Sequence, residues 1–274
     1  MKKIFTALLM VTIMTALCLS LSACGSGEET SYDGDWDKVQ QSGELVIGYV
    51  EDPPFFTMQD GELTGFDYKY SNAVCEYLGI EPVYESIAWE SKDKLLAKGK
   101  VDVIWDCLTI TDERKEIMDF SDAYLKTGQA IAIRKADKEK YSHISNVIKD
   151  FSTFALEADS AQYEFVMSSG QTDEDSIRTY ATIDDILKAV SLNYADAAAS
   201  DQIILQSRVG DGTDYPDLIL IQGLNIPVSE IAVGMRKGSD LAAHINEATD
   251  ALFADGTMDK IAEEYNLTDL LIKR

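Results

Sequence analysis

Apolar positions in this chain change period repeatedly, and each change marks an element. Residues 44–50, ELVIGYV, form a short run rich in β-branched side chains, which predicts a strand. Residues 64–80, TGFDYKYSNAVCEYLGI, then place Phe66, Tyr70, Val74 and Leu78 four apart, the spacing of one helix face. The alternation continues with a strand at 82–88, a helix at 91–99 closed by Gly99, a strand at 101–107 and another at 129–135. A second series follows: strand 151–157, helix 161–169, strand 177–181, helix 182–193 and strand 195–200. Strand-like runs at 217–223 and 230–238 precede two helices, 240–255 and 257–265, parted by Gly256. Strands alternating with helices imply mostly parallel sheets covered by helices. Two such series predict an α/β protein of two lobes joined by two crossings, lobe 1 formed by 43–133 plus 228–274 and lobe 2 by 134–227. The cleft between them is the expected site.

The first 23 residues do not belong to this pattern. Lys2 and Lys3, an apolar run over 4–19 and LSAC ending at Cys24 read as a signal peptide. LSAC followed by GSGEET resembles a bacterial lipoprotein signal, which implies a lipid on Cys24 and export to the outer face of the cell membrane, or to its periplasmic face in a two-membrane envelope. Residues 24–42 would then be the lipidated cysteine and a flexible tether.

Charge narrows the partners. Without residues 1–23 the chain carries 22 basic residues against 48 acidic ones, a net −26, which excludes nucleic acid and makes an anionic membrane surface repulsive. Cys75 and Cys107 remain outside the signal; one disulfide is possible, although two separate buried thiols fit their elements better. Residues 33–44, DGDWDKVQQSGE, mimic the acid spacing of a calcium loop but carry Lys38 where glycine is required, so a short helix packed by Trp36 is expected instead. With His143 and His244 far apart, no metal site and no cofactor is predicted.

One stretch carries candidate chemistry. In WDCLTITDERKE, Thr111 stands at a helix N-cap, and Arg114 falls in the first turn, where a cation opposes the helix dipole. An arginine in that place, facing a strand end, is a candidate holder of an anion.

PPF, GFD, LTITDER, DFSDAY and ADGTMDKI, in this order and spacing across residues 43–266, resemble the extracytoplasmic solute-binding proteins of polar amino-acid ABC transporters, bacterial solute-binding protein family 3. The resemblance implies a two-lobed periplasmic-binding-protein-like fold of type II. It also implies a lipid-anchored, monomeric receptor that delivers a free amino acid to a membrane permease. By the family pattern Arg114 pairs with the ligand's α-carboxylate, helped by Thr109, and the Cys107 carbonyl receives the ammonium group, which Asp201 neutralises. Trp89 would form an aromatic wall. Ser160 and Ala161, after Asp159, stand where the family has a G-T-[ST] turn. Asp52 replaces a common aromatic lid, and Asp106 a small or amide residue. Asp52 and Asp106, with Glu51 nearby, would favour a cationic side chain. An enzyme on the same fold, such as a cyclohexadienyl dehydratase-like protein, is the alternative reading; it would need a poised acid or base.

Overall fold

The computed structural model describes residues 34–141, 151–168, 173–221 and 228–274. The chain enters through helix α1 (Asp35–Ser42) and strand β1 (Glu44–Tyr49), then forms a hairpin of β2 (Thr57–Gln59) and β3 (Glu62–Thr64). Helix α2 (Phe66–Leu78), β4 (Glu81–Ser86), a single 3-10 turn at Trp89–Ser91 and α3 (Lys92–Ala97) follow, then β5 (Val103–Ile104), α4 (Asp112–Ile117) and β6 (Met118–Phe120). The middle of the chain holds β7 (Leu125–Thr127), β8 (Gln129–Arg134), β9 (Phe154–Glu157), α5 (Ala161–Ser168), β10 (Ile177–Tyr180), α6 (Ile183–Ser191), β11 (Ala197–Asp201) and α7 (Gln202–Arg208). It closes with β12 (Leu218–Ile221), β13 (Ser229–Ile231), β14 (Gly234–Arg236), α8 (Leu241–Ala254) and α9 (Thr257–Glu264).

Two five-stranded sheets result, ordered β4-β1-β5-β14-β6 and β10-β9-β11-β8-β12. In the first, β1 runs parallel to β4 and β5, with β14 antiparallel between β5 and β6. In the second, β9 runs parallel to β10 and β11, while β8 is antiparallel to β11 and β12. The two crossings lie side by side as the antiparallel pair β7 and β13.

This pairing moves one expected boundary. Strand β8 lies within the stretch assigned to lobe 1 (43–133), yet all its partners are in the second sheet, so the first crossing precedes Gln129. The run QAIAIR announces a buried strand, but periodicity does not say which sheet buries it. Part of the stretch expected as a tether, 24–42, is instead folded. Residues 35–42 form α1, held by buried Val39, by an ion pair from Asp35 to Arg236 on β14, and by Trp36 stacked on His244 of α8 at 4.1 Å. Cys24 and His143 lie outside the described residues.

The recognised motifs have local physical causes. Gly65 sits at φ 129°, and a Cβ there would lie 2.1 Å from the Phe55 carbonyl oxygen, so PPF and GFD are fitted to one another. Helix α2 buries Phe66, Tyr70 and Val74 completely, each contributing roughly 1.5–3 kcal/mol. Asp67, the acid of GFD, is fully buried; it accepts from the Cys107 N–H at 2.9 Å and from the Tyr124 hydroxyl of DFSDAY at 2.9 Å. Burial pushes its carboxyl up to about 7, against the pull of those two bonds. Hairpin β2–β3 was not expected from the sequence pattern, since strands of three residues are too short to establish a period.

Candidate ligand-binding cleft

A narrow cavity lies between the two sheets. Each sequence-predicted site residue, Asp52, Trp89, Asp106, Cys107, Thr109, Arg114, Ser160, Ala161 and Asp201, lines it, and so do Glu157 and Gln162, which were not predicted. A wider groove shares Thr109 and Ala161, but neither Arg114 nor Asp52, Asp106, Glu157 or Asp201 borders it. The buried charges therefore belong to the narrower space.

From lobe 1, the loop after β5 supplies the rigid wall. Cys107 takes a left-handed φ of 45°, strained for a side chain, and the Asp67 carboxyl fixes it there by accepting its N–H. Its thiol is 5% exposed and is pushed well above the usual thiol value by burial and then by Asp201, which makes it a poor nucleophile. Cys75 is a separate buried thiol. Four residues beyond Cys107, Thr111 caps α4 by accepting from the Arg114 N–H at 3.1 Å, which turns the Arg114 side chain back along the loop. One guanidinium nitrogen donates to the Thr109 carbonyl at 2.8 Å, and the other reaches across the cleft to the Asp159 carbonyl at 2.9 Å. The Nε–H has no hydrogen-bond partner among the described residues; Glu164 of lobe 2 stands 3.8 Å away. Arg114 is only 3% exposed, and although burial lowers it from the ordinary arginine value, it stays protonated.

Trp89 is buried beneath this cation, its ring centroid 5.8 Å from the Arg114 guanidinium and 5.0 Å from Lys92 Nζ. Lys92, 1% exposed, also donates to the Asp159 carbonyl at 3.2 Å. Sequence reasoning missed it, because a lysine on the helix KDKLLA ordinarily faces solvent.

From lobe 2, β9 ends at Glu157 and the chain turns through Asp159, which adopts φ 55°. That is the left-handed turn a glycine would favour, retained here by an aspartate that tolerates it. Ser160 then caps α5 by accepting from the Tyr163 N–H at 3.1 Å, and its own N–H donates to the Glu157 carbonyl at 3.3 Å. Asp201 ends β11 but makes no side-chain cap to α7; one oxygen accepts from Gln162 Nε2 at 3.0 Å and the other is buried without a partner. Burial raises Asp201 to about 6, while Gln162 and Arg114 pull it down.

Three more acids complete the lining. Asp52 pairs with Arg208 of α7 across the mouth at 3.1 Å, and burial raises it to about 6 against that pull. Asp106 accepts from the Val50 N–H at 2.6 Å through one oxygen, the other being buried and unpartnered; burial and then Asp52 push it well above the carboxylate range. Glu157, 8% exposed, has neither a hydrogen bond to its carboxylate nor an ion pair among the described residues, and burial followed by Asp52 raises it to about 8. Its sequence signal is an acid closing the otherwise apolar, wholly buried strand FALE at the end where ligands bind α/β sheets. No group of acids, histidines and cysteines among the described residues has metal-site geometry.

The cleft thus sets a buried guanidinium in lobe 1 against a buried, half-satisfied carboxylate in lobe 2, which suits a small molecule bearing both charges. Comparison with known proteins agrees. Over 269 residues the chain is 28% identical to the probable amino-acid-binding protein YxeM of Bacillus subtilis, covering 96% of this chain and 97% of that one. It is 28% identical to the L-arginine-binding protein of Pseudomonas aeruginosa, covering 78% and 83% of the two chains. The fold superposes with a TM-score of 0.78 on an ABC uptake transporter substrate-binding protein from Streptococcus pneumoniae with bound histidine, at 26% identity over 89% of this chain and 100% of that one. Residues 45–268 match the profile of the bacterial extracellular solute-binding proteins, family 3, and the chain belongs to that family.

Proposed function

We propose that the protein captures a free L-amino acid between its lobes and presents the closed form to the permease of an ABC importer. The observation that carries this is the opposition of Arg114 and Asp201 across one cavity. The guanidinium is a planar fork that meets a carboxylate with two charge-assisted bonds, and Thr109 stands beside it. The free Asp201 oxygen and the Cys107 carbonyl accept from an α-ammonium, while Trp89 packs against the ligand's carbon skeleton. Because Arg114 and Asp201 come from different lobes, a zwitterion satisfies both only when the lobes are together, so binding and closure are one event. No bond is made or broken. The dehydratase alternative is disfavoured by membership of a solute-binding family and by relatives named for the amino acids they bind.

The test is thermal melting against all common amino acids with ornithine and citrulline, after unfolding, dialysis and refolding to remove any carried ligand. At ~100 times its dissociation constant a ligand adds roughly 2.7 kcal/mol, a clear rise in Tm. A panel without any shift would sink this reading.

In this reading the receptor is a monomer held to the outer face of the cell membrane through a lipid on Cys24, the cysteine that closes LSAC after the apolar run; no helix among the described residues is long and apolar enough to cross a membrane. Cys24→Ser should move the exported protein into the soluble fraction; retention on membranes would reject the lipid.

A further inference from the structure

We infer that Asp106 and Glu157 form a second recognition site in the cleft, one that reads the ligand's side chain and selects a cationic ammonium or guanidinium terminus. The inference rests on the reading that Arg114 and Asp201 hold the α-groups, and it names the substrate class.

Four buried acids line the cavity, and their partners differ. Asp52 is neutralised by Arg208, and Asp201 shares Gln162 and faces the α-ammonium. Asp106 and Glu157 are left over. Among the described residues Asp106, 3% exposed, keeps one oxygen without a partner, and the Glu157 carboxylate is bonded to nothing. Both are more than nine-tenths buried, and they come from opposite lobes, Asp106 from the loop after β5 and Glu157 from the end of β9. The cation that acts most on Glu157, Lys92, does not serve them. Lys92 Nζ is occupied by the Asp159 carbonyl and the Trp89 face, and makes no ion pair with Glu157.

A zwitterionic head group cancels its own charges on Arg114 and Asp201. A neutral side chain would then leave two carboxyls facing apolar neighbours such as Ile183 and Ile204 without a matching donor, which is costly in a buried site. A terminal cation supplies N–H donors to both at once and adds a second bridge between the lobes. Lysine, ornithine and arginine have the needed charge at the end of an apolar stem.

The charged groups around Glu157 are Asp52, Lys92, Asp201 and Arg114, with Asp106 opposite; burial first, and then Asp52 and Asp201, raise its carboxyl to about 8, which keeps it protonated at neutral pH. A cation must therefore displace that proton, so affinity for it should rise with pH up to about 8. A neutral ligand owes no such proton.

The experiment is calorimetric titration of the refolded protein and of Glu157→Gln with L-arginine, L-lysine, L-citrulline and L-norleucine, between pH 6 and 9. The expected result is preference for arginine or lysine over citrulline and norleucine. In the unmodified protein that affinity should strengthen by up to about tenfold per pH unit below pH 8. Glu157→Gln should weaken the cationic ligand by about 30-fold or more, leave neutral ligands unharmed, and lose the pH slope. Citrulline or norleucine binding as tightly as arginine and lysine overturns the inference, as does equal weakening of neutral and cationic ligands in Glu157→Gln. If a neutral amino acid binds as tightly as arginine and lysine and Arg114→Ala abolishes its binding, the amino-acid reading stands and only the side-chain site falls. Failure of every amino acid to bind removes both.

Discussion

The two walls of the cleft are built on opposite principles. The backbone frame of the lobe 1 wall is satisfied by its own bonds: Asp67 ties the Cys107 backbone to Tyr124, Thr111 caps the helix that carries Arg114, and the guanidinium rests on the Thr109 carbonyl, while one Asp106 oxygen and the Arg114 Nε–H stay without a hydrogen-bond partner among the described residues. The lobe 2 wall is less satisfied: among the described residues the buried Glu157 carboxylate has no hydrogen bond or ion pair, and Asp201 keeps one buried oxygen without a partner. One side is stabilised by its own bonds and so pre-organised for the part every amino acid shares. The other stores unfavourable burial that only a ligand relieves. Substitutions of similar size on the two walls should therefore change stability with opposite sign.

The largest effect is expected on the lobe 1 side. Asp67→Ala leaves the Cys107 N–H and the Tyr124 hydroxyl buried without an acceptor and opens a cavity, at a cost of about 2–4 kcal/mol. Tm should fall by roughly 5–10 °C in scanning calorimetry. A Tm within ~1 °C of the parent would show that the frame around Cys107 does not depend on Asp67.

A smaller effect of opposite sign is expected on lobe 2. There Glu157 and Asp201 have folded values raised above the ordinary carboxylate range, to about 8 and 6, and in lobe 1 Asp67 and Asp52 are raised likewise, to about 7 and 6, so the pH dependence belongs to both walls. The unfolded chain releases these protons near pH 4, whereas the folded chain holds them until pH 6–8. The stabilisation is thus complete below about pH 4 and is lost as pH rises through 6 to 8. Without added ligand, Tm should fall steadily from pH 5 to pH 8.5. Glu157→Gln should be more stable than the parent at pH 8 and flatten the upper part of that curve. A parent that melts higher at pH 8 than at pH 5 would mean that these carboxyls are already ionised and solvated.

How far the sequence foretold each wall follows from the same contrast. The part of lobe 1's wall that carries the cation is contiguous in sequence, from Trp105 to Arg114, and Thr111 and Arg114 act on neighbours three to five residues away, so cap, loop and cation could be read from WDCLTITDER, whereas the Asp67 bond to Cys107, 40 residues distant, could not. Lobe 2's wall is assembled from strand ends far apart in the chain. Asp201 was reached by family pattern, but Glu157 was not, since nothing local distinguishes it from the other 47 acids until β9 is known to be buried on both faces. Lys92 escaped for the same reason, and β8 was placed in the wrong lobe because a strand's own pattern does not name its partners.

The central claim is that Arg114 holds the carboxylate common to all candidate ligands, and its most direct test is calorimetric titration of Arg114→Ala and Arg114→Lys beside the parent. Truncating one side of a buried charge pair costs of order 2–5 kcal/mol, so Arg114→Ala should bind its amino acid about 30-fold or more weakly. Lysine, lacking the planar fork, should restore only part of that affinity. Equal affinity in Arg114→Ala and the parent would contradict the account and place the ligand elsewhere.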